Sequence, residues 1–157
     1  MFLCLAFQEY ICYIIITLIK EVFYMGLTYG RGYVYDLKYH IVWCVKYRRK
    51  VLTSEVEKEL LSILEKIASD NDFYIEEVNT DLDHIHLLVS CSPQHYIPNI
   101  MKAMKGASAR LLMKEFGEPL RDQLYGGHLW NPSYFIATVS ENTEQQVGEY
   151  IQKQKRK

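Results

Sequence analysis

The residues with the clearest chemical promise are His84 and His86, in the run Asp83-His84-Ile85-His86-Leu87-Leu88-Val89-Ser90. A strand alternates its side chains between two faces, so both imidazoles point one way while Ile85, Leu87 and Val89 point the other. Imidazole is a common ligand of divalent metals, and a rigid strand fixes two of them side by side. The pair reads either as half of a metal site or as the polar face of a half-exposed strand. Leu88, on the same face, leans toward the second reading. Near the C-terminus, Tyr150 and Gln154 stand four apart and so share one face of a helix, with Val147 and Ile151 placed to seat that face on a sheet. Taken singly, Tyr150 is a packing or surface tyrosine and Gln154 a solvated amide. A helix laid over the histidines would bring phenol and amide oxygen to one centre, and this joint spacing favours the metal site.

Elements able to position these groups follow from hydrophobic periodicity. Tyr33 to Val45 reads as one long strand, with Leu37, Tyr39, Ile41, Trp43 and Val45 on one face and Asp36, Lys38, His40 and Cys44 on the other. It runs into Lys46-Tyr47-Arg48-Arg49-Lys50, which is either a solvated strand end or a surface for phosphates with a base stacked on Tyr47. A capping box, Ser54-Glu55-Val56-Glu57, opens a helix whose apolar stripe is Val56, Leu60, Ile63, Leu64 and Ile67. Strands over Asp72–Val78 and His84–Cys91 flank a turn at Asn79–Asp83. After Pro93 and Pro98 a second helix carries Ile100, Met101, Met104, Leu111 and Leu112 inward. Its Lys102, Lys105, Arg110 and Lys114 meet either phosphates or solvent. Gly117-Glu118-Pro119 breaks this helix, Gly126-Gly127 marks a loop, and a fourth strand lies within Asn131–Val139, best developed over Tyr134–Val139. A second capping box, Thr143-Glu144-Gln145-Gln146, opens a third helix ending in the basic tail Lys153–Lys157. The order predicts an α+β fold: a ferredoxin-like or RRM-like plait, with a four-stranded antiparallel sheet, two helices on one face and an extra C-terminal helix carrying the tyrosine.

Composition sets the outer bounds. The chain has 157 residues, 49% hydrophobic and 24% charged, with formal net charge −1, so it fits one globular domain without a global basic bias toward nucleic acid. Any such role rests on local patches. Its four cysteines lack C-x-x-C spacing, which argues against a zinc knuckle or disulfide framework and fits a reducing cytoplasm. Residues 1–24 differ from the rest: Tyr10 to Ile19 carries no charge, yet falls short of the roughly 20 apolar residues a bilayer span needs. With no basic n-region or A-x-A site it is not a secretory signal either, so no membrane role is expected. Lys20-Glu21-Val22 can be encoded AAG-GAG-GTN, a ribosome-binding sequence suitably spaced before Met25. On that reading residues 1–24 are translated leader and 25–157 form the single domain; the alternative is a genuine hydrophobic extension. Recovering peptides from residues 1–24 of the native protein would exclude the leader.

Several segments taken together match a known family. They are Tyr39-His40-Ile41-Val42-Trp43 with Lys46-Tyr47-Arg48, Asp83 to Val89, Met104-Lys105-Gly106 with Ser108, Leu129 to Phe135, and Tyr150-Ile151 with Gln154. In this order the chain resembles the TnpA-type single-tyrosine HUH transposases of the insertion-sequence two-hundred family of bacteria and archaea, from Tyr33 to the C-terminus. The resemblance implies that Tyr150 is the nucleophile on a DNA phosphodiester, leaving a 5′-phosphotyrosine and a free 3′-OH. A phenol with pKa about 10 needs activation for this. It implies Mg²⁺ or Mn²⁺ held by His84, His86 and Gln154, and single-stranded DNA with hairpins at the element ends as substrate. Candidate DNA contacts are Lys46, Tyr47, Arg48, Arg49, Lys105 and Arg110. It further implies a homodimer in which each site pairs the histidines of one chain with the tyrosine helix of the other. His40 also falls on a family position, but reads as a polar strand residue; His95 and His128 read as surface residues. Two alternatives are a domesticated single-tyrosine HUH nuclease acting on chromosomal repeat hairpins, and a non-catalytic RRM-type module. The latter would show Phe or Tyr where the third strand carries histidines.

Overall fold

The structure is a computed structural model and describes residues 27–139. The proposed leader, the third helix, Tyr150 and Gln154 lie outside the described residues. Thr28–Gly30 (β1) and Tyr33–Tyr35 (β2) form a small antiparallel hairpin of their own. Gly32 turns it at φ 90°, a conformation that suits a residue without Cβ.

The remaining described residues build the plait from β3 (Lys38–Cys44), α1 (Ser54–Asp70), β4 (Tyr74–Asp81), β5 (His84–Ser90), α2 (Ile97–Arg121) and β6 (Phe135–Val139). Strand order is β4-β5-β3-β6, with every neighbour antiparallel. The histidine strand β5 and the His40 strand β3 are therefore central. Alternation sorts their side chains: Ile41, Trp43, Ile85, Leu87 and Val89 are buried, while His40, Val42, Cys44, His84 and His86 are half-buried on the opposite face. Leu60 and Leu64 of α1 and Met104 and Leu112 of α2 join the buried set in one core cluster. Each such side chain contributes about 1.5–3 kcal/mol by leaving water. Both helices thus cover one face, and among the described residues the histidine face carries none. No described helix is long and apolar enough to cross a membrane.

Four local expectations are corrected. The strand expected from Tyr33 to Val45 is two strands, because β2 pairs with β1 whereas β3 pairs with β5 and β6. Between them the Leu37 carbonyl accepts the Cys91 N–H at 3.3 Å. The turn expected at Asn79–Asp83 shrinks to Leu82-Asp83, since Asn79, Thr80 and Asp81 continue the ladder opposite His86, Ile85 and His84. The first capping box does not form: the N-cap is Thr53, without a side-chain bond, and the Glu57 carboxylate instead accepts the Thr80 hydroxyl from β4. The last strand begins at Phe135 rather than Tyr134. The expected helix break does appear, at Gly117, whose φ of 53° and ψ of −137° only glycine adopts readily.

Candidate active site

Register assembles the site on the face away from the helices. Cys44 stands opposite His84, Val42 opposite His86 and His40 opposite Leu88, while β4 places Asp81 opposite His84 and Asn79 opposite His86. Cross-strand partners share a face. Three histidines consequently meet on two central strands. The rings of His84 and His86 lie 5.2 Å apart in an edge arrangement, those of His40 and His86 5.3 Å apart and stacked. Phe135 of β6 meets His40 edge-on at 6.0 Å.

The polar contacts are specific. His84 Nδ1 lies 2.6 Å from Asp83 Oδ1, and Arg48 grips the same carboxylate with Nε to Oδ2 at 2.9 Å and Nη2 to Oδ1 at 3.2 Å. The bond from His84, and then Arg48, hold the Asp83 carboxyl below its usual range against the opposing effect of burial. His40 Nε2 lies 3.0 Å from His86 Nδ1. Burial first, and then the neighbouring His84 and His40, hold His86 below the usual imidazole range and so favour its neutral form. Neutral imidazole is the form that binds metal. Asp81, Asp83 and His84 also have ligand atoms within 4.8 Å of one another. An imidazole beside carboxylates is a donor set suited to a divalent cation.

A strained turn borders this cluster. At Lys46–Arg48, Tyr47 has φ 56° and Arg48 φ 53°, a region that bulky residues enter only when their surroundings hold them there. The hold is visible: Val45 N–H donates to the Asp83 carbonyl and Lys46 N–H to the Leu129 carbonyl, each at 2.8 Å. The turn sends Arg48 to Asp83 and Tyr47 outward, 65% exposed, against Tyr125 with ring centres 5.1 Å apart. Lys46 Nζ stands 5.7 and 5.8 Å from those two rings.

Of the residues expected to meet DNA, Lys46, Tyr47 and Arg49 are thus near or on an exposed aromatic and cationic surface. Arg48 has its guanidinium on Asp83. Lys105 donates to three successive carbonyls, Asn131 at 2.6 Å, Pro132 at 2.9 Å and Ser133 at 3.0 Å, and burial pushes its pKa down. With Arg110, His128 and Trp130 it lines a shallow groove of about 480 Å³. His84 and His86 come together as expected, and Tyr150 and Gln154 fall outside the described residues. Sequence reasoning passed over Asp83, His40 and Tyr125 as partners. Asp83 adjoins His84 and His40 sits on the correct strand face, so both left a signal; Tyr125, far along the chain, left none.

Comparison with known proteins places this geometry in context. The family model described as "Transposase IS200 like" matches residues 33–154. The ISDra2 transposase TnpA of Deinococcus radiodurans is 51% identical over 125 residues, covering 80% of this chain and 89% of that protein. The transposase for insertion sequence element IS200 of Salmonella typhimurium is 32% identical over 120 residues, covering 76% and 78%. A crystal structure of a candidate transposase from Deinococcus radiodurans superposes with TM-score 0.68 at 46% identity, over 81% of this chain and 97% of the other. A REP-associated tyrosine transposase bound to a REP hairpin shares the fold, with TM-score 0.52 at 16% identity over 82% and 73%.

Proposed function

This chain belongs to the IS200-like transposase family and is a DNA transposase, and from that premise we propose that it cuts and rejoins single-stranded DNA at the hairpin-bearing ends of an insertion sequence. The observation that carries the reading is the three-histidine cluster on the open sheet face, with His84 tied to Asp83 and His86 to His40. The 51% identity to an insertion-sequence transposase, against 16% to the REP-associated one, favours the mobile-element role over a chromosomal-repeat nuclease.

In this proposal Tyr150 supplies the nucleophile. Its phenolic oxygen bonds to phosphorus, the bond from phosphorus to the 3′ oxygen breaks, and the phenolic proton is exchanged for one taken up by the departing 3′ oxygen. The product is a 5′-phosphotyrosine and a free 3′-OH, and attack by another 3′-OH restores the phenol. Bond energy is retained in the ester, so rejoining needs no ATP. His84, His86 and Gln154 would hold Mg²⁺ or Mn²⁺, which would supply Lewis acidity at the phosphate. Lys46 and Arg49 attract the phosphodiester backbone, and an unpaired base stacks at Tyr47 and Tyr125. Arg110 offers a further cation beside the groove against the 127–132 segment. The hairpin seen with the REP-associated relative supports a folded DNA end as the ligand. The active form is a homodimer whose sites combine histidines and tyrosine from different chains.

Incubating the full chain with single-stranded element-end DNA and Mg²⁺ tests this. A covalent protein–DNA adduct is expected in wild type and absent in Tyr150→Phe. An adduct that persists in the variant would remove Tyr150 from its role. His86→Ala is expected to abolish cleavage and leave hairpin binding largely intact; loss of both would make the histidines structural.

A further inference from the structure

Both histidines of the motif have their Nδ1 occupied by a protein neighbour. Asp83 takes the Nδ1 of His84 at 2.6 Å, and His40 Nε2 takes the Nδ1 of His86 at 3.0 Å. A carboxylate only accepts hydrogen bonds, so His84 places a proton on Nδ1, and the neutral tautomer that satisfies this contact is the one that keeps the Nε2 lone pair. For His86 the same state arises when its Nδ1–H donates to His40, whose Nε2 then acts as acceptor. Resting on the proposed metal role of His84 and His86, we propose that Asp83 and His40 are positioning residues that fix these rings in the tautomer presenting Nε2 to the cation.

Arg48 completes the arrangement. It holds both oxygens of Asp83, so the carboxylate cannot rotate away from His84, and the left-handed backbone at Tyr47 and Arg48 is what delivers the guanidinium there. The cost of that backbone therefore serves the ligand strand as well as the exposed tyrosine. Asp83 is itself buried, and its backbone carbonyl accepts from Val45, so the residue is anchored at both ends. Outer partners of this kind orient a ligand ring and raise its basicity, and their loss typically lowers metal affinity by about 10–100-fold. The competing arrangement makes Asp83 a direct ligand together with Asp81 and His84. In that case Arg48 competes with the cation for the same oxygens.

Mn²⁺ titration of the full chain by calorimetry separates the two. Asp83→Asn is expected to weaken Mn²⁺ by about 10–100-fold, and Arg48→Gln to weaken it in the same direction. A gain of affinity in Arg48→Gln would show that Asp83 binds the ion directly and would overturn its positioning role. His40→Leu is expected to weaken Mn²⁺, with partial recovery in His40→Gln, which retains an acceptor. Equal affinity in wild type and His40→Leu would remove His40 from the proposal. Thermal melting of each variant checks the fold. The metal-free protein gives an independent readout: imidazole ¹⁵N shifts are expected to report Nδ1–H for His84 in wild type and a tautomer mixture in Asp83→Asn. Unchanged shifts would overturn the positioning of His84 by Asp83. If wild type showed the expected tautomer but bound no Mn²⁺, the metal reading would fail while the hold on the ring stood.

Discussion

Asp83 is a carboxylate with little access to water, and its charge survives there because His84 and Arg48 both donate to it. Its folded pKa lies below the ordinary value, so the folded state binds fewer protons than the unfolded one as pH falls through the carboxylate range. Stability from this group is therefore complete above the ordinary carboxylate pKa and is lost as pH drops through the lower folded value. Asp83→Asn is expected to cost about 1–3 kcal/mol at pH 7, the scale of a hydrogen bond to a charged group. In urea titrations at falling pH the gap between variant and wild type should close; a gap constant down to full protonation would place the stabilisation elsewhere. A second side chain makes a simpler case. Ser108 is fully buried and its hydroxyl accepts the Trp130 indole N–H at 3.0 Å. Ser108→Ala strands that N–H, and a loss of about 1–3 kcal/mol is expected in the same titration.

At the scale of elements, α2 and the segment before β6 are joined by Lys105, whose ammonium caps three consecutive carbonyls of residues 131–133 and lies 5.6 Å from the Tyr134 ring. With its ammonium held by these carbonyls, we propose that Lys105 would influence DNA binding through the loop it holds more than through a phosphate of its own. Lys105→Met is expected to speed amide exchange in residues 131–139 while β4 and β5 keep their protection. It should leave the salt dependence of hairpin binding unchanged, whereas Lys46→Ala and Arg49→Ala should each lower the slope by about one. A slope loss in Lys105→Met would restore it as a phosphate contact. The plait itself was legible in the chain because its strands alternate cleanly: Ile85, Leu87 and Val89 against His84 and His86, Ile41 and Trp43 against His40. Contacts that the chain did not disclose share a physical cause, which is a partner distant in sequence. Glu57 left its capping box for Thr80 on β4, Arg48 turned from solvent to Asp83, and Lys105 found the carbonyls of residues 131–133. The break between β2 and β3 is of the same kind, since only the choice of pairing partner separates them.

For the whole molecule the proposed reaction turns on which chain of the proposed dimer would supply the nucleophile to which histidines. The plait presents the histidine cluster on a sheet face that no described helix covers, and Tyr150 and Gln154 belong to the segment beyond residue 139. With a net charge of −1, general attraction to DNA is weak, so productive cutting depends on a few groups being assembled correctly. The proposed dimer makes a prediction that a self-contained chain does not. Neither His86→Ala nor Tyr150→Phe should form an adduct alone. In a mixed dimer of the two, a shared arrangement rebuilds one intact site, from the histidines of the Tyr150→Phe chain and the tyrosine of the His86→Ala chain. Co-expressing the variants with distinguishable tags and adding element-end DNA should return an adduct, at up to about half the wild-type yield per dimer, with DNA attached only to the His86→Ala chain. An inactive mixture, with the mixed dimer verified by its two tags, would place tyrosine and histidines of each site in the same chain.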